Sequence, residues 1–230
     1  MKIVCISDTH MDEPELPEGD VLIHAGDLTY KGQPQELGKA KLWLFSQIDK
    51  FNRVLIIPGN HDFGFESHFL MYKKEYENAG ITVLNDSAEV INGVTFYGSP
   101  ITPWFHNWAF NRHRGEDIQP YWLMIPEETN VLVTHGPPHG ILDGVPSRDR
   151  VMIGRDNHYR PIYKKGGHVE HVGCEDLLER IKELKQLKLH VFGHVHEGYG
   201  QEEHFGVKFV NPSRMDADYQ PVNKPIIVEI

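Results

Sequence analysis

Five short apolar runs constrain what this chain can fold into: KIVCI, VLIHA, RVLII, VLVT and LHVF, each rich in β-branched residues and bounded by polar or glycine-containing turns. They read as buried strands. Helical periodicity fills the intervals between them. Residues 35–51 bring Leu37, Ala40, Leu44 and Ile48 to one face, residues 175–187 do the same with Leu177, Ile181 and Leu184, and HFLMYKKEYENAG predicts a third helix stopped by Gly80. Glu175 and Asp176 at the start of the second helix, with Lys185 and Lys188 near its end, suit the helix dipole. Strands alternating with helices imply βαβ units and a largely parallel sheet. Asn92-Gly93 between the alternating runs of AEVINGVTFYG predicts a hairpin, and so antiparallel strands as well. With 230 residues, 40% hydrophobic and 24% charged, the chain reads as one domain over 1–230.

Every run empties into a turn that carries Asp, Asn or His. KIVCI leads into SDTH, VLIHA into GDLT, RVLII into PGNHD, VLVT into HGPPH and LHVF into GHVHEGYG. In open α/β sheets the carboxyl ends of the strands form the crevice that binds ligands, so these five turns can converge on one site. Asp8 and His10 are two apart, as are His194 and His196, and in extended chain each pair projects to one side. The stretch HVFGHVHEGYG alone is open to two readings, a solvated histidine-rich loop or a metal site. The other turns favour the second: Asp8, His10, Asp27, Asn60, His135, His194 and His196 together offer imidazole, carboxylate and amide donors without a thiolate. Such a set suits Mn²⁺, Fe²⁺ or Zn²⁺.

Charge and hydropathy narrow the partners. A formal net charge of −10 argues against a polymeric nucleic acid, whose binding rests on clustered Lys and Arg. No apolar segment approaches the roughly 20 residues that span a bilayer, so no membrane is expected. MKIVCISDTH meets Asp8 too soon to supply a signal peptide's apolar region, which predicts a cytoplasmic protein. Cys5 and Cys174 imply no disulfide framework.

The ordered series DTH, GDLT, GNHD, THGPP and GHVH, from residue 8 to residue 196, resembles the five-block signature of the calcineurin-like metallophosphoesterases. HVFGHVHEGYG, with YGSP and WAFN upstream, is similar to a smaller branch of metallophosphoesterase-domain proteins associated with phosphodiester and cyclic-nucleotide hydrolysis. The resemblance implies an α/β fold of two mixed β-sheets packed face to face and flanked by helices, in four layers. It also implies two divalent ions, Mn²⁺ first, with Fe²⁺ or Zn²⁺ as alternatives. Asp8, His10, Asp27 and His196 would hold one ion, Asp27, Asn60, His135 and His194 the other, with Asp27 bridging. In such centres ions roughly 3.5 to 4 Å apart generate a hydroxide nucleophile at neutral pH and clamp the attacking and departing oxygens. His61 resembles the family's histidine that protonates the leaving alkoxide, a contribution on the order of 10² to 10⁴ in rate. One departure stands out. Protein phosphatases of this superfamily place an Asp three residues after the bridging Asp to support that histidine, and here the position is Tyr30. This speaks against a protein phosphatase and leaves the support of His61 to some other group.

Two segments are candidates for shaping a substrate pocket. PWFHNWAFNRHRG mixes aromatic residues with Asn111, Arg112, His113 and Arg114; Asn60, His61, Asn111, Arg112 and Arg114 are the expected substrate contacts, against a plainer reading as an aromatic plug with solvated arginines. Residues 139–173, richer in Lys and Arg than in Asp and Glu, form a candidate lid insertion. His24 and His190 lie in strands and read as hydrogen-bonded core residues, while His139 is placed either at the site mouth or in an exposed loop. The expected function is hydrolysis of a small phosphodiester, with a cyclic nucleotide as one candidate. A phosphomonoesterase and a non-catalytic metal-binding scaffold of the same fold are the alternatives, and the usual mark of the scaffold, loss of ligands, is absent. Nothing in the sequence specifies the oligomeric state.

Overall fold

The computed structural model describes residues 1–147, 150–155, 161–165 and 168–230. Its two main sheets are built from β1 (Lys2–Ile6), β2 (Val21–Ala25), β3 (Arg53–Ile57), β4 (Ile81–Val83), β5 (Ser87–Ile91), β6 (Val94–Ser99), β7 (Val131–Thr134), β8 (Leu189–Val191), β9 (Gly200–His204), β10 (Val207–Asn211) and β11 (Ile226–Glu229). The first sheet runs β11-β1-β2-β3-β4, parallel except for β11. The second runs β9-β10-β8-β7-β6-β5, parallel at its centre with β9 and β5 antiparallel at its edges. The five apolar runs are β1, β2, β3, β7 and β8, so the signature is shared between two sheets. Both sheets are mixed and flanked by helices, as the resemblance implies.

Strand periodicity explains the layering. Ile3 and Cys5 of β1, Val21 and Ile23 of β2 and Leu55 and Ile57 of β3 join Phe96, Val131, Val133, Leu189, Val191 and Val210 of the second sheet in one buried cluster. Their neighbours Val4, Ile6, Leu22, Val54 and Ile56 belong to a second cluster that also holds Leu37, Ala40, Trp43 and Leu44 of helix α1 (Pro34–Gln47). Residues of both parities are apolar because each strand is covered on both faces.

The helices fall close to their expected spans. α1 tightens at Ile48–Lys50 into a 3₁₀ turn, so the periodic stretch to residue 51 is not all α-helix. α2 (Phe63–Ser67) and α3 (Phe69–Glu77) follow β3, and Gly80, at φ 81°, turns the chain into β4. After α4 (Gln119–Leu123) comes α5, Glu175–Glu183, which stops earlier than residue 187; Leu184 leaves helical geometry and packs inward with Leu187. Asn92 and Gly93 both lie in the left-handed region, as a two-residue hairpin loop requires. The expected lid over 139–173 falls in part on residues 148–149, 156–160 and 166–167, which lie outside the described residues. The remainder includes two antiparallel ribbons, Gly144–Pro146 with Val169–His171 and Arg150–Arg155 with Pro161–Lys165.

Candidate metal centre

The turns after β1, β2, β3, β7 and β8 meet at one end of the paired sheets, where main-chain hydrogen bonds knit them together. Asp8 N–H donates to Gly26 O (2.9 Å), His10 N–H to Asp27 O (3.1 Å) and Gly193 N–H to His135 O (2.9 Å). Asp8, His10, Asp27 and His194 all have positive φ, between 40° and 69°. Non-glycine residues seldom adopt this backbone, and where they do the surrounding structure imposes it. Two glycines allow the approach. A Cβ at Gly59 would stand 2.2 Å from Asp27 Oδ1, and one at Gly193 would stand 2.2 Å from Asp8 Oδ2 and 2.4 Å from Ser7 Oγ.

Three histidines are oriented alike. His10 Nδ1 pairs with Thr29 O (3.0 Å), His135 Nδ1 with Ala25 O (2.9 Å) and His196 Nδ1 with Asp216 O (3.0 Å). A carbonyl only accepts, so each ring carries its proton on Nδ1 and turns Nε2 inward, the arrangement in which ligating histidines are held. His194 presents Nδ1 instead, 2.7 Å from Asn60 Oδ1, which also lies 2.8 Å from His135 Nε2. Asp27 Oδ2 is 3.2 Å from His135 Nε2 and 3.8 Å from His10 Nε2, and Asp8 Oδ1 is 3.5 Å from His196 Nε2. Within 4.8 Å of one another lie donor atoms of Asp8, His10 and His196; of Asp27, His135 and His194; and of His10, Asp27 and His61. Asp27 falls in two of these groups.

The electrostatics are those of a cation site. Burial works against the charge on Asp27, yet His135 and the other surrounding imidazoles hold it below the usual carboxylate range; Asp8 is held down in the same way, chiefly by His196. Burial also opposes charge on His135, but Asp27 overcomes it and raises the imidazole. His194 is pushed down to about 4 by burial and by the charge on His135. His10 Nε2 is buried with no hydrogen-bond partner. A buried orphaned nitrogen aimed at two carboxylates is a costly arrangement that a divalent ion would satisfy. The donor set of imidazole nitrogens, carboxylates and one amide oxygen therefore fits such ions, whose binding would displace the proton that Asp27 now favours on His135.

His61 stands beside this cluster, part-exposed. Its main-chain N–H donates to Asp27 Oδ1 (2.8 Å), its Nδ1 lies 2.7 Å from the carbonyl oxygen of Tyr30, and its ring stacks on Trp108 at 4.3 Å. The group that supports His61 is thus a main-chain carbonyl at the position where a carboxylate was missing. Further residues brace the turns and had no assigned role in the motif reading. Buried Asp62 accepts from Leu28 N, Thr29 N, Thr29 Oγ1 and Gly59 N, tying GDLT to PGNHD. Ser7 and Ser213 each donate to Asp8 Oδ2 at 2.6 Å. Thr134 Oγ1 donates to Gly136 O (2.7 Å), so His190 Nε2–H donates to Thr134 Oγ1 (2.8 Å). His24 likewise contacts Thr9, between Asp8 and His10, at 3.0 Å. Burial drives both core histidines down to about 3, so they are neutral. GNHD does contain Asp62, and its adjacency to Asn60 and His61 is the one signal that could have singled it out.

A cavity of about 590 Å³ opens over the cluster, lined by Asp27, Asn60, His61 and His194, by Trp104, Phe105 and Trp108, and by Arg114, Glu170, His171 and Tyr219. Asn60, His61 and Arg114 thus reach it. Asn111 and Arg112 do not line it. Asn111 Nδ2 donates to the carbonyls of Phe105 and His106 and its Oδ1 accepts from Thr102, so it fastens the aromatic loop. Arg112 lies over Tyr121 and donates to its hydroxyl. In the structure each of these two side chains braces its own loop. Arg114 is itself anchored, to Glu175 and to the carbonyls of Val172 and Gly173. His139 sits near Glu175 and Asp143 and is not among the lining residues.

Two packed mixed sheets carrying a His/Asp/Asn cluster at their strand ends define a protein of the metal-dependent phosphoester-hydrolase class. Residues 1–198 match the model of the calcineurin-like phosphoesterase family. The chain is 36% identical over 252 aligned positions to metallophosphoesterase domain-containing protein 1 of Homo sapiens, covering 100% of this chain and 71% of that protein. It is 33% identical over 244 positions to a UPF0046 protein of Caenorhabditis elegans, covering 100% and 75%. The solved structure of TT1561 from Thermus thermophilus shares the fold, with a TM-score of 0.57 at 13% identity over 92% of this chain and 88% of that one. The chain belongs to the calcineurin-like phosphoesterase family. No helix among the described residues is long and apolar enough to cross a membrane.

Proposed function

We propose that this protein is a dinuclear metal-dependent phosphoesterase acting on a small phosphodiester, with Mn²⁺ as the first candidate metal. The observation that carries this reading is Asp27: its Oδ2 lies between His10 Nε2 and His135 Nε2 while its Oδ1 accepts from the main chain of His61. One carboxylate thus connects both ligand groups to the neighbouring histidine. Asp8, His10, Asp27 and His196 would hold one ion; Asp27, Asn60, His135 and His194 would hold the other. When bound, two such ions supply a nucleophile from water at neutral pH and neutralise charge on the phosphoryl oxygens.

The chain's own groups do the rest. His61, with Nδ1–H committed to Tyr30 O, exchanges its labile proton at Nε2 and delivers it to the departing alkoxide. Trp108 on one face of the ring restricts its rotation. Trp104, Phe105 and Trp108 offer an apolar wall to the organic part of the ester, and the ribbon residues Val145, Pro146 and His171 form part of the cavity's boundary. The diester preference draws its support from the size of the cavity, about 590 Å³, and from its aromatic wall, which suit a phosphoryl group carrying a bulky organic part; a cyclic nucleotide is one candidate.

The test is turnover of a panel of phosphodiesters and phosphomonoesters with Mn²⁺, Fe²⁺ and Zn²⁺, paired with metal analysis. Diesters are expected to turn over with two ions bound per chain, and chelation is expected to abolish it. A fully active sample holding one ion per chain rejects the dinuclear assignment, and faster monoester turnover makes the protein a phosphomonoesterase.

A further inference from the structure

Tyr219 belongs to none of the five blocks and lies beyond residue 198, where the family match ends. It sits on a turn that is fixed from several directions. Asp216 Oδ1 accepts from Asp218 N (2.9 Å) and Gln220 N (2.8 Å), Arg214 Nε donates to Asp12 Oδ2 (2.6 Å), and Asn223 Nδ2 donates to Ser213 O (2.9 Å) and Met215 O (3.2 Å). The same turn supplies the Asp216 carbonyl that orients His196. Tyr219 itself has φ 57°, a backbone that an aromatic residue adopts only under constraint and that glycine would take freely. What this strained position achieves is placement: the ring packs against His10 (5.1 Å between centroids) and His196 (4.9 Å), and the side chain lines the cavity with Asp27, Asn60 and His61.

The ring is not a plug. Tyr219 is 45% exposed, and its hydroxyl has no hydrogen-bond partner among the described residues. Packing alone would be served by phenylalanine; a tyrosine so placed brings an apolar body to the ligand histidines and a free donor to the cavity. The nearest use for that donor is an anionic oxygen, because a hydroxyl donates well to charged acceptors.

We propose that Tyr219 is a substrate-binding residue whose hydroxyl donates to a non-bridging oxygen of the bound phosphoryl group, on the side of the centre formed by His10 and His196. The inference rests on the phosphoesterase reading above, and its test is arranged so that the two can fail separately. Inorganic phosphate is titrated into Mn²⁺-loaded wild type and Tyr219→Phe, with Mn²⁺ affinity measured for each; Phe keeps the ring and its packing. Phosphate affinity is expected to fall about tenfold in the variant, with a matching rise in KM and little change in kcat for any ester turned over, the size of one hydrogen bond to a charged acceptor. Mn²⁺ affinity stays at the wild-type level. Equal phosphate affinity in the two proteins overturns the proposal, as does a wild type that binds no phosphate. A parallel loss of Mn²⁺ affinity overturns it too, by assigning the hydroxyl to the metal centre. If wild type hydrolyses no ester yet loses phosphate affinity on Tyr219→Phe, the binding role stands and the phosphoesterase reading falls.

Discussion

The imidazole Nδ1 of His61 lies 2.7 Å from the main-chain carbonyl oxygen of Tyr30. This contact resolves the tension at position 30, where the side chain offers no carboxylate. A carbonyl accepts a hydrogen bond as a carboxylate does and fixes the same tautomer, but it brings no net charge and does not depend on which side chain the residue carries. The tyrosine ring has a separate occupation, stacked on His10 at 5.4 Å. Tyr30→Phe, which keeps both ring and carbonyl, is therefore expected to leave kcat within about twofold of wild type, in line with a surface change that removes no buried group. His61→Ala is expected to slow esters with poor leaving groups by about 10² to 10⁴ and activated aryl esters far less, because only the former need a proton on departure. Comparing both variants on a leaving-group series decides the matter: equal losses across the series in His61→Ala would assign His61 to binding.

Asp62 is the joint between two turns that carry candidate ligands. Its carboxylate is fully buried and receives four donors, two on each oxygen, from Leu28, Thr29 and Gly59. Asp62→Ala strands those donors out of reach of water and is expected to destabilise the metal-free protein by about 2 to 4 kcal/mol. Asp62→Asn keeps the shape but turns an NH₂ towards one pair of donors, so its loss should fall between wild type and Ala. Urea unfolding of the metal-free proteins measures this directly, and a midpoint unchanged in Asp62→Ala would mean that the two turns hold without it.

These cases mark where the sequence stops being legible. The strands and the clustering of the polar residues that end them were readable because both signals are local: apolar β-branched runs announce buried strands, and Asp, Asn or His immediately after each one has little reason to be there except a shared site. The support of His61 was not readable, because a main-chain carbonyl leaves no mark in the sequence and only the φ/ψ path of the turn aims it. Asn111 and Arg112 mark a different limit. A polar side chain in an aromatic loop looks the same whether it faces the cavity or ties the loop to itself, and here Phe105 O, His106 O and Tyr121 claim them. His24 and His190 were legible as core residues, but not as the groups that hold Thr9 and Thr134 beside the candidate ligands. Tyr219 is reached only through tertiary contact, since no motif links residue 219 to residue 10.

Gly193 provides a test of how closely the turns must approach. An added methyl would meet Asp8 Oδ2 at 2.2 Å and Ser7 Oγ at 2.4 Å, and neither can retreat easily, because Asp8 also accepts from Ser213 and from His194 N–H. Gly193→Ala is expected to displace Asp8 and weaken metal binding by at least about tenfold, the low end for disturbed ligand support. Calorimetric titration with Mn²⁺ gives the affinity and far-ultraviolet circular dichroism checks the fold. Wild-type affinity in a folded Gly193→Ala protein would show that Asp8 does not ligate.

His194 and His196 project from one turn but engage different neighbours: His194 Nδ1 meets Asn60, and His196 Nε2 faces Asp8 while its Nδ1 meets Asp216 O. Replacing either by Ala removes one imidazole from a cluster whose other ligands come from other strand ends. The sheets are held by the apolar cluster of Ile3, Ile23, Leu55, Val133 and Val191, which neither substitution touches. Both variants are therefore expected to give near-native circular dichroism, with activity at limiting metal reduced by at least about tenfold and partly restored by excess Mn²⁺. They should differ in one respect. His196→Ala also frees the carbonyl of Asp216 and removes the ring under Tyr219, so its phosphate affinity should fall beyond what metal loss explains, whereas in His194→Ala the two losses should track each other. Wild-type activity at limiting metal in either folded variant would remove that histidine from the ligand set.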